Sequence, residues 1–270
     1  MKKLITILFL LVNSQLFATN YYVNTDGSGD YTTIAQINAA SFSAGDSIFF
    51  NKGDVWRETL EVPDGGSSSA YLYFGTYGTG DNPRILGSKA TTTWTDQGSN
   101  VWKTTITFTD PRSPAYYYAD ITFNESGTET FGDHVTSTGN LANKYDWFYS
   151  GSYIYVYSTT NPASAYTGIE VPQRRFGIST NNEEYLHFNG IDIFYACGEG
   201  MDTNNDHGEY IDIDGCIIEN AEIGFIGGVS DEQYGFGIAT PMNDLIIRNC
   251  EIHHCGRRGI SFNLQDGGTP

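Results

Sequence analysis

Leu186-His-Phe188-Asn-Gly-Ile191-Asp-Ile193, Ile211-Asp-Ile213-Asp-Gly-Cys216-Ile-Ile218 and Leu245-Ile-Ile247-Arg-Asn-Cys250-Glu-Ile252 repeat one pattern. Apolar residues stand at offsets 0, 2, 5 and 7, with a polar or glycine pair at offsets 3 and 4. Alternation within each half describes a strand with one buried face, and the two-residue break turns the chain between two such strands. A third short strand follows each copy: Gly200-Met201-Asp-Thr203, Gly237-Ile238-Ala-Thr240 and Gly259-Ile260-Ser-Phe262. Ala196, Ala221 and Cys255 share the small-residue position of a tight corner. Three strands per repeat, stacked in register, predict an all-β solenoid, a right-handed parallel β-helix.

In this phase the repeats run from 186 to 211 and from 211 to 245. The longer one carries an insertion of about nine residues between Glu222 and Phe236, and such insertions become surface loops that often build a binding face. The third copy ends at Pro270 with no following strand, so the stack is expected to continue beyond the given chain as a C-terminally truncated helix. A raw stack edge would otherwise expose backbone donors and acceptors.

Upstream, Tyr31 to Ala40 reads as a short helix capped by Thr32 or Thr33, with Ile34 and Ile37 on one face covering the apolar end of the first turn. Residues 91–166 interrupt the repeat. Within them Asp146 to Tyr149 and Tyr153 to Tyr157 flank Ser150-Gly-Ser152 as a hairpin. The expected organisation is a signal peptide over 1–18, an N-terminal cap and first turns over 19–90, a β-rich insertion over 91–166, and regular turns over 167–270.

Lys2 and Lys3 precede an apolar run from Leu4 to Val12, and Leu16-Phe17-Ala18 supplies small-residue cleavage chemistry. The run falls short of the ~20 residues that span a bilayer, which points to export rather than anchoring. The chain is therefore expected outside the cell, at its surface or in a periplasm, without membrane insertion. Its formal charge of −18 falls to −20 once the two leader lysines are removed. Such a surface repels phosphate backbones and anionic lipids and excludes nucleic acid as a partner. The 31 glycines, 19 tyrosines and 16 phenylalanines favour the all-β class.

The opening segments Tyr21-Tyr-Val-Asn24, Gly45-Asp-Ser-Ile48, Lys52-Gly-Asp-Val-Trp56-Arg57, Tyr77-Gly-Thr-Gly80 and Asn82-Pro83, with Asp146-Trp147 and Ile169-Glu170, resemble those of secreted bacterial right-handed parallel β-helix repeat proteins of the pectate-lyase-like group. The resemblance covers nearly the whole chain after the leader. It implies a monomeric protein acting on polysaccharide, as a lyase or hydrolase of acidic or plant and algal glycans, or as a non-catalytic glycan-binding module at a cell surface. Asp26 to Ile34 and Trp56 to Val62 are also similar to the opening of pectin methylesterases, whose catalytic segments have no counterpart here.

Glu251-Ile-His253-His254-Cys-Gly-Arg257-Arg258 concentrates imidazoles and cations. The alignment places His253 over Glu219 and His254 over Asn220. Glu219 would orient His253 as a general base while Arg257 and Arg258 hold a substrate carboxylate. The alternative is a solvated turn whose arginines answer the acidic surface. Asp202, Asn204, Asn205 and Asp206 offer oxygens that suit calcium, or simply satisfy turn backbone. Asp231, Glu232 and Tyr234 in the insertion are candidate substrate-binding residues, either acid pairing with a residue of another turn. Tyr116, Tyr117, Tyr118, Trp147, Tyr149 and Tyr234 would suit a sugar platform, while the alternating tyrosines of 153–157 equally suit a hairpin core. Cys216 and Cys250 share offset 5 and are expected as stacked core thiols rather than a disulfide.

Overall fold

A computed structural model describes residues 18–106, 120–202, 216–226, 236–240 and 245–262. It is an all-β structure with two short α-helices among the described residues. Beyond Asn20–Val23, which opens the first sheet, the chain visits three parallel sheets in rotation. Ser47–Asn51 leads to Val55–Trp56 and Leu60–Glu61. Leu72–Tyr77 leads to Arg84–Leu86 and then Phe176–Ser179. Leu186–Asn189 leads to Asp192–Phe194 and Glu199–Asp202. Cys216–Glu219 leads to Glu222–Ile226 and Phe236–Thr240, and Leu245–Arg248 to Glu251–Cys255 and Arg258–Phe262. Every hydrogen-bonded pair in these three sheets is parallel.

In-register pairing stacks like residues into columns. The first sheet contributes Ile48, Phe74, Phe188, Ile218 and Ile247. The second contributes Trp56, Ile85, Ile193, Ile223 and Ile252. The third contributes Leu60, Ile178, Met201, Ile238 and Ile260. Most of these residues lie in one apolar core, and Phe74 and Phe188 stack with ring centres 5.0 Å apart. Ile34–Asn38 is the expected helix. Thr33 caps it through a capping box with Gln36, and Ile34 and Ile37 are buried in the core.

The registers correct the phase of the repeat. Cys216 pairs with Leu186 and Leu245, so the turns are 30 and 29 residues long, 186 to 216 and 216 to 245. The second copy is Cys216-Ile-Ile218-Glu-Asn-Ala221-Glu-Ile223, and Ile211 and Ile213 lie outside the described residues. Offsets 0, 2, 5 and 7 contain the same two-residue spacing twice, five apart, so a shift by one strand preserves half of the match. Cys216 and Cys250 are therefore not register partners, and Cys255 pairs with Ile226 rather than sharing a corner with Ala221. All four thiols are free.

Nine residues separate the second-sheet and third-sheet strands in the turn that starts at Cys216, against four in the turn before. The loop carrying Asp231, Glu232 and Tyr234 lies outside the described residues, as do Tyr116, Tyr117 and Tyr118 and residues 1–17.

Between Leu86 and Phe176 the chain leaves the rotation. Ser88–Thr91, Gly168–Pro172, Thr122–Glu125 and Thr128–Phe131 form an antiparallel sheet. Thr95–Asp96, Val101–Thr105, Tyr153–Tyr157, Asp146–Ser150 and Asp133–His134 form a mixed one. Their second apolar core includes Phe123, Trp147, Ile154 and Val156. Trp147 is thus a core residue and not a platform, whereas Tyr153, Tyr155 and Tyr157 alternate with Ile154 and Val156 and sit on the outer side of the hairpin. Among the described residues, no helix is long and apolar enough to cross a membrane.

Candidate functional site on the second parallel sheet

Side chains alternate across a strand. With Ile85, Ile193, Ile223 and Ile252 turned inward, the residue before each faces out, giving a column of Arg84, Asp192, Glu222 and Glu251. The residue after each gives Leu86, Phe194, Gly224 and His253. Leu86, Phe194 and Tyr195 are covered by Phe131 of the antiparallel sheet. Glu222 and His253 remain open at the same face, with 44% and 21% of their side chains exposed.

His253 therefore meets Glu222 and not Glu219. Its Nε2 lies 2.9 Å from Glu222 Oε1. Glu219 is in the first sheet, in register with Asn189 and Arg248. Gly224 makes room for the imidazole: a Cβ there would stand 2.5 Å from His253 Cε1. His254 has a left-handed backbone, φ 47°, which turns its ring against that of His253 with Nδ1 to Nδ1 at 2.5 Å. One proton fits between two facing ring nitrogens. Glu222, His253 and His254 are thus a carboxylate–imidazole–imidazole chain able to pass a proton along the face.

Asp192 sits beside Glu222 in the acidic column. Its Oδ1 accepts from Asn82 Nδ2 at 3.0 Å and from the Glu222 backbone N–H at 2.9 Å. Burial pushes its carboxyl above the ordinary range, and the nearby Glu222 charge adds to that. Arg257 lies 5.4 Å from the Phe236 ring centre, and Arg258 is the register partner of Phe236. The pair therefore belongs to the corner and the third sheet. Asp202 is a buried member of the third sheet, while Asn204 and Asp206 lie outside the described residues. Among the described residues, no group of three or more His, Cys, Asp or Glu is placed to hold a metal.

Where the antiparallel sheet meets the start of this face there is a cavity of about 190 Å³ lined by Arg57, Arg84, Asn124, Glu129, Glu170 and Tyr195. Arg57 Nη2 meets Glu170 Oε1 at 2.6 Å, and Ser88 Oγ donates to Glu170 Oε2 at 2.6 Å. Arg84 Nη2 lies 3.7 Å from Glu129 Oε1, which also accepts from the Tyr195 hydroxyl.

A solved complex of XylC with xylose has the same fold. It superposes with a TM-score of 0.55 at 15% identity, over 86% of this chain and 50% of that one. The native GH136 lacto-N-biosidase from Eubacterium ramulus matches at TM-score 0.48 and 13% identity, over 90% of this chain and 35% of that one. A structure described as a glycoside hydrolase matches at 0.49 and 10%, over 86% and 65%. The chain spans about half of XylC and less than two thirds of the other two. No family model and no curated protein matches it.

Asp192, Glu222 and the Arg57–Glu170 and Arg84–Glu129 pairs were not singled out in the sequence. One signal was present. In the corrected phase the offset-6 positions are Asp192, Glu222 and Glu251, an acidic residue in every turn. Glu129 and Glu170 reach the face from a separate sheet, a juxtaposition without local sequence signal.

Proposed function

We propose that this chain is the glycan-hydrolysing part of an exported, right-handed parallel β-helix protein, with Asp192 as general acid and Glu222 as its carboxylate partner. The observation that carries this reading is the outward column in which Asp192, with its carboxyl pushed up by burial, neighbours the exposed Glu222 on the adjacent strand. A carboxyl able to hold its proton beside a second carboxyl group is the arrangement that glycoside hydrolysis uses. Asp192 Oδ1 is committed to two donors, so Oδ2 carries the proton given to the leaving oxygen. Glu222, whose Oε1 lies 2.9 Å from His253 Nε2, is placed to attack the sugar or activate water. Adjacent parallel strands stand ~4.8 Å apart, close to the ~5 Å carboxyl separation of retaining enzymes.

The rotation through three parallel sheets supports the β-helix, and the basic and apolar opening of the chain supports export. The XylC complex, which contains xylose, supports a carbohydrate ligand. An elimination reaction has less support, since the corner arginines stand apart from the His253 chain.

Assaying reducing-end release on a panel of plant and algal glycans tests the proposal. Asp192→Asn keeps an acceptor for Asn82 and the Glu222 N–H while removing the acid. This variant and Glu222→Gln should each lower kcat by about 10²–10⁴. Unsaturated uronate products would identify a lyase, binding without turnover would identify a non-catalytic module, and unchanged kcat in both variants would overturn the assignment.

A further inference from the structure

The cavity beside the acidic column has no part in the proton chemistry of Asp192, Glu222 and His253. At about 190 Å³ it is smaller than the ~300 Å³ at which pockets for drug-sized molecules begin, and it suits a single ring. Arg84 is the register partner of Asp192, so the cavity opens within one strand spacing, ~4.8 Å, of the acid.

Its charge is the informative feature. Each of its two guanidinium groups already has a carboxylate: Glu170 for Arg57 at 2.6 Å and Glu129 for Arg84 at 3.7 Å. Glu170 is held by Ser88 and Glu129 by Tyr195 and Asn124. One flat side of Arg84 is occupied by Phe194, whose ring centre lies 4.1 Å from the guanidinium carbon. Two cations and two anions sum to zero. A uronate would bring a third carboxylate into a site with no cation in excess, next to Asp192 and Glu222. A neutral sugar brings hydroxyls that donate to the carboxylates and accept from the guanidinium edges at no net charge.

We infer that this cavity binds one neutral sugar unit of the glycan and discriminates against uronates. The inference rests on the reading of this face as glycan-active and narrows the acidic or plant and algal glycans expected from the sequence to a neutral one.

The test is calorimetric titration of the Glu222→Gln chain, where turnover is suppressed. The probes are neutral oligosaccharides of glucose, galactose and xylose and oligogalacturonate of equal length. Saturable binding of at least one neutral series is expected, with the uronate at least about tenfold weaker. Adding Glu129→Gln leaves Arg84 in excess and should tighten the uronate about tenfold while weakening the neutral ligand. Tyr195→Phe, with the fold checked by circular dichroism, should weaken the neutral ligand alone. Uronate affinity equal to neutral affinity in the parent chain overturns the inference, as does neutral affinity indifferent to both Glu129→Gln and Tyr195→Phe. Neutral binding that responds to Glu129→Gln in a protein that cleaves nothing overturns the hydrolase reading alone. Cleavage of a uronate polymer without neutral binding overturns this inference alone.

Discussion

Gly224 shows how one missing side chain shapes the candidate site. The His253 ring fills the space where a Cβ would lie 2.5 Å from Cε1 and 2.6 Å from Nε2. Gly224→Ala must displace the imidazole and break its 2.9 Å contact with Glu222. Because the imidazole is the end of a side chain that can turn aside, the cost expected is that of the lost pair, about 0.5–1 kcal/mol. In a His253→Ala background the same change should cost less, and a coupling above about 0.5 kcal/mol in the double-mutant cycle, read by denaturant titration, would establish the contact. A second single-residue effect concerns pH. Burial, reinforced by Asp133, raises the Asp120 carboxyl from 3.8 to about 6. The folded chain then holds this proton more tightly than the unfolded one, so stability falls as pH rises through this window and levels off above it. Asp120→Asn should flatten that fall, gaining on the parent above pH ~6 in melts recorded across the range. A parent whose stability did not decline would show that Asp120 is solvated.

At the level of elements, the two-residue turn between the first and second sheets sets the path of the chain. Gly190, Asn220 and Asn249 occupy its second position in left-handed backbone, φ 75°, 55° and 53°. Asn220 also donates from Nδ2 to Asn189 at 2.9 Å, accepts from Asn249 at 3.3 Å, and offers its carbonyl to Asn82 at 3.0 Å. Asn220→Ala loses the side-chain bonds and keeps a Cβ in a conformation that costs an ordinary L-residue ~1–2 kcal/mol, without the local hydrogen bonding that lets asparagine adopt it. Asn220→Gly loses the same bonds but also removes the Cβ, so the alanine variant should unfold at the lower urea concentration. The reverse order would remove backbone strain from the account. The break at offsets 3 and 4 was visible in the sequence because polar and glycine pairs interrupt apolar alternation. Which copy of the spacing began the middle turn was not visible, because the offsets match themselves when shifted by five.

Over the whole molecule, a formal charge of −18 is spread on a structure whose pairings join strands distant in sequence. Self-repulsion of that charge opposes the compact state, and salt screens it as the Debye length falls from ~30 Å at 0.01 M to ~8 Å at 0.15 M. The melting temperature should therefore rise with sodium chloride over that interval. A fall would mean that the ion pairs Arg57–Glu170 and Arg84–Glu129 outweigh the net repulsion. By itself the sequence determined the strand alternation, the two-residue breaks after Phe188 and Ile247, the short helix with its Thr32 or Thr33 cap, the Asp146–Tyr157 hairpin and the acidic surface. Each of these is set by neighbours a few residues apart. Only the tertiary structure decided the phase of stacking, and with it that His253 faces Glu222 rather than Glu219. Only it brought Glu129 and Glu170 against Arg84 and Arg57. Register is chosen by the fit of whole columns such as Ile193, Ile223 and Ile252, and by a second core packed from residues far along the chain, and neither is encoded in any local window.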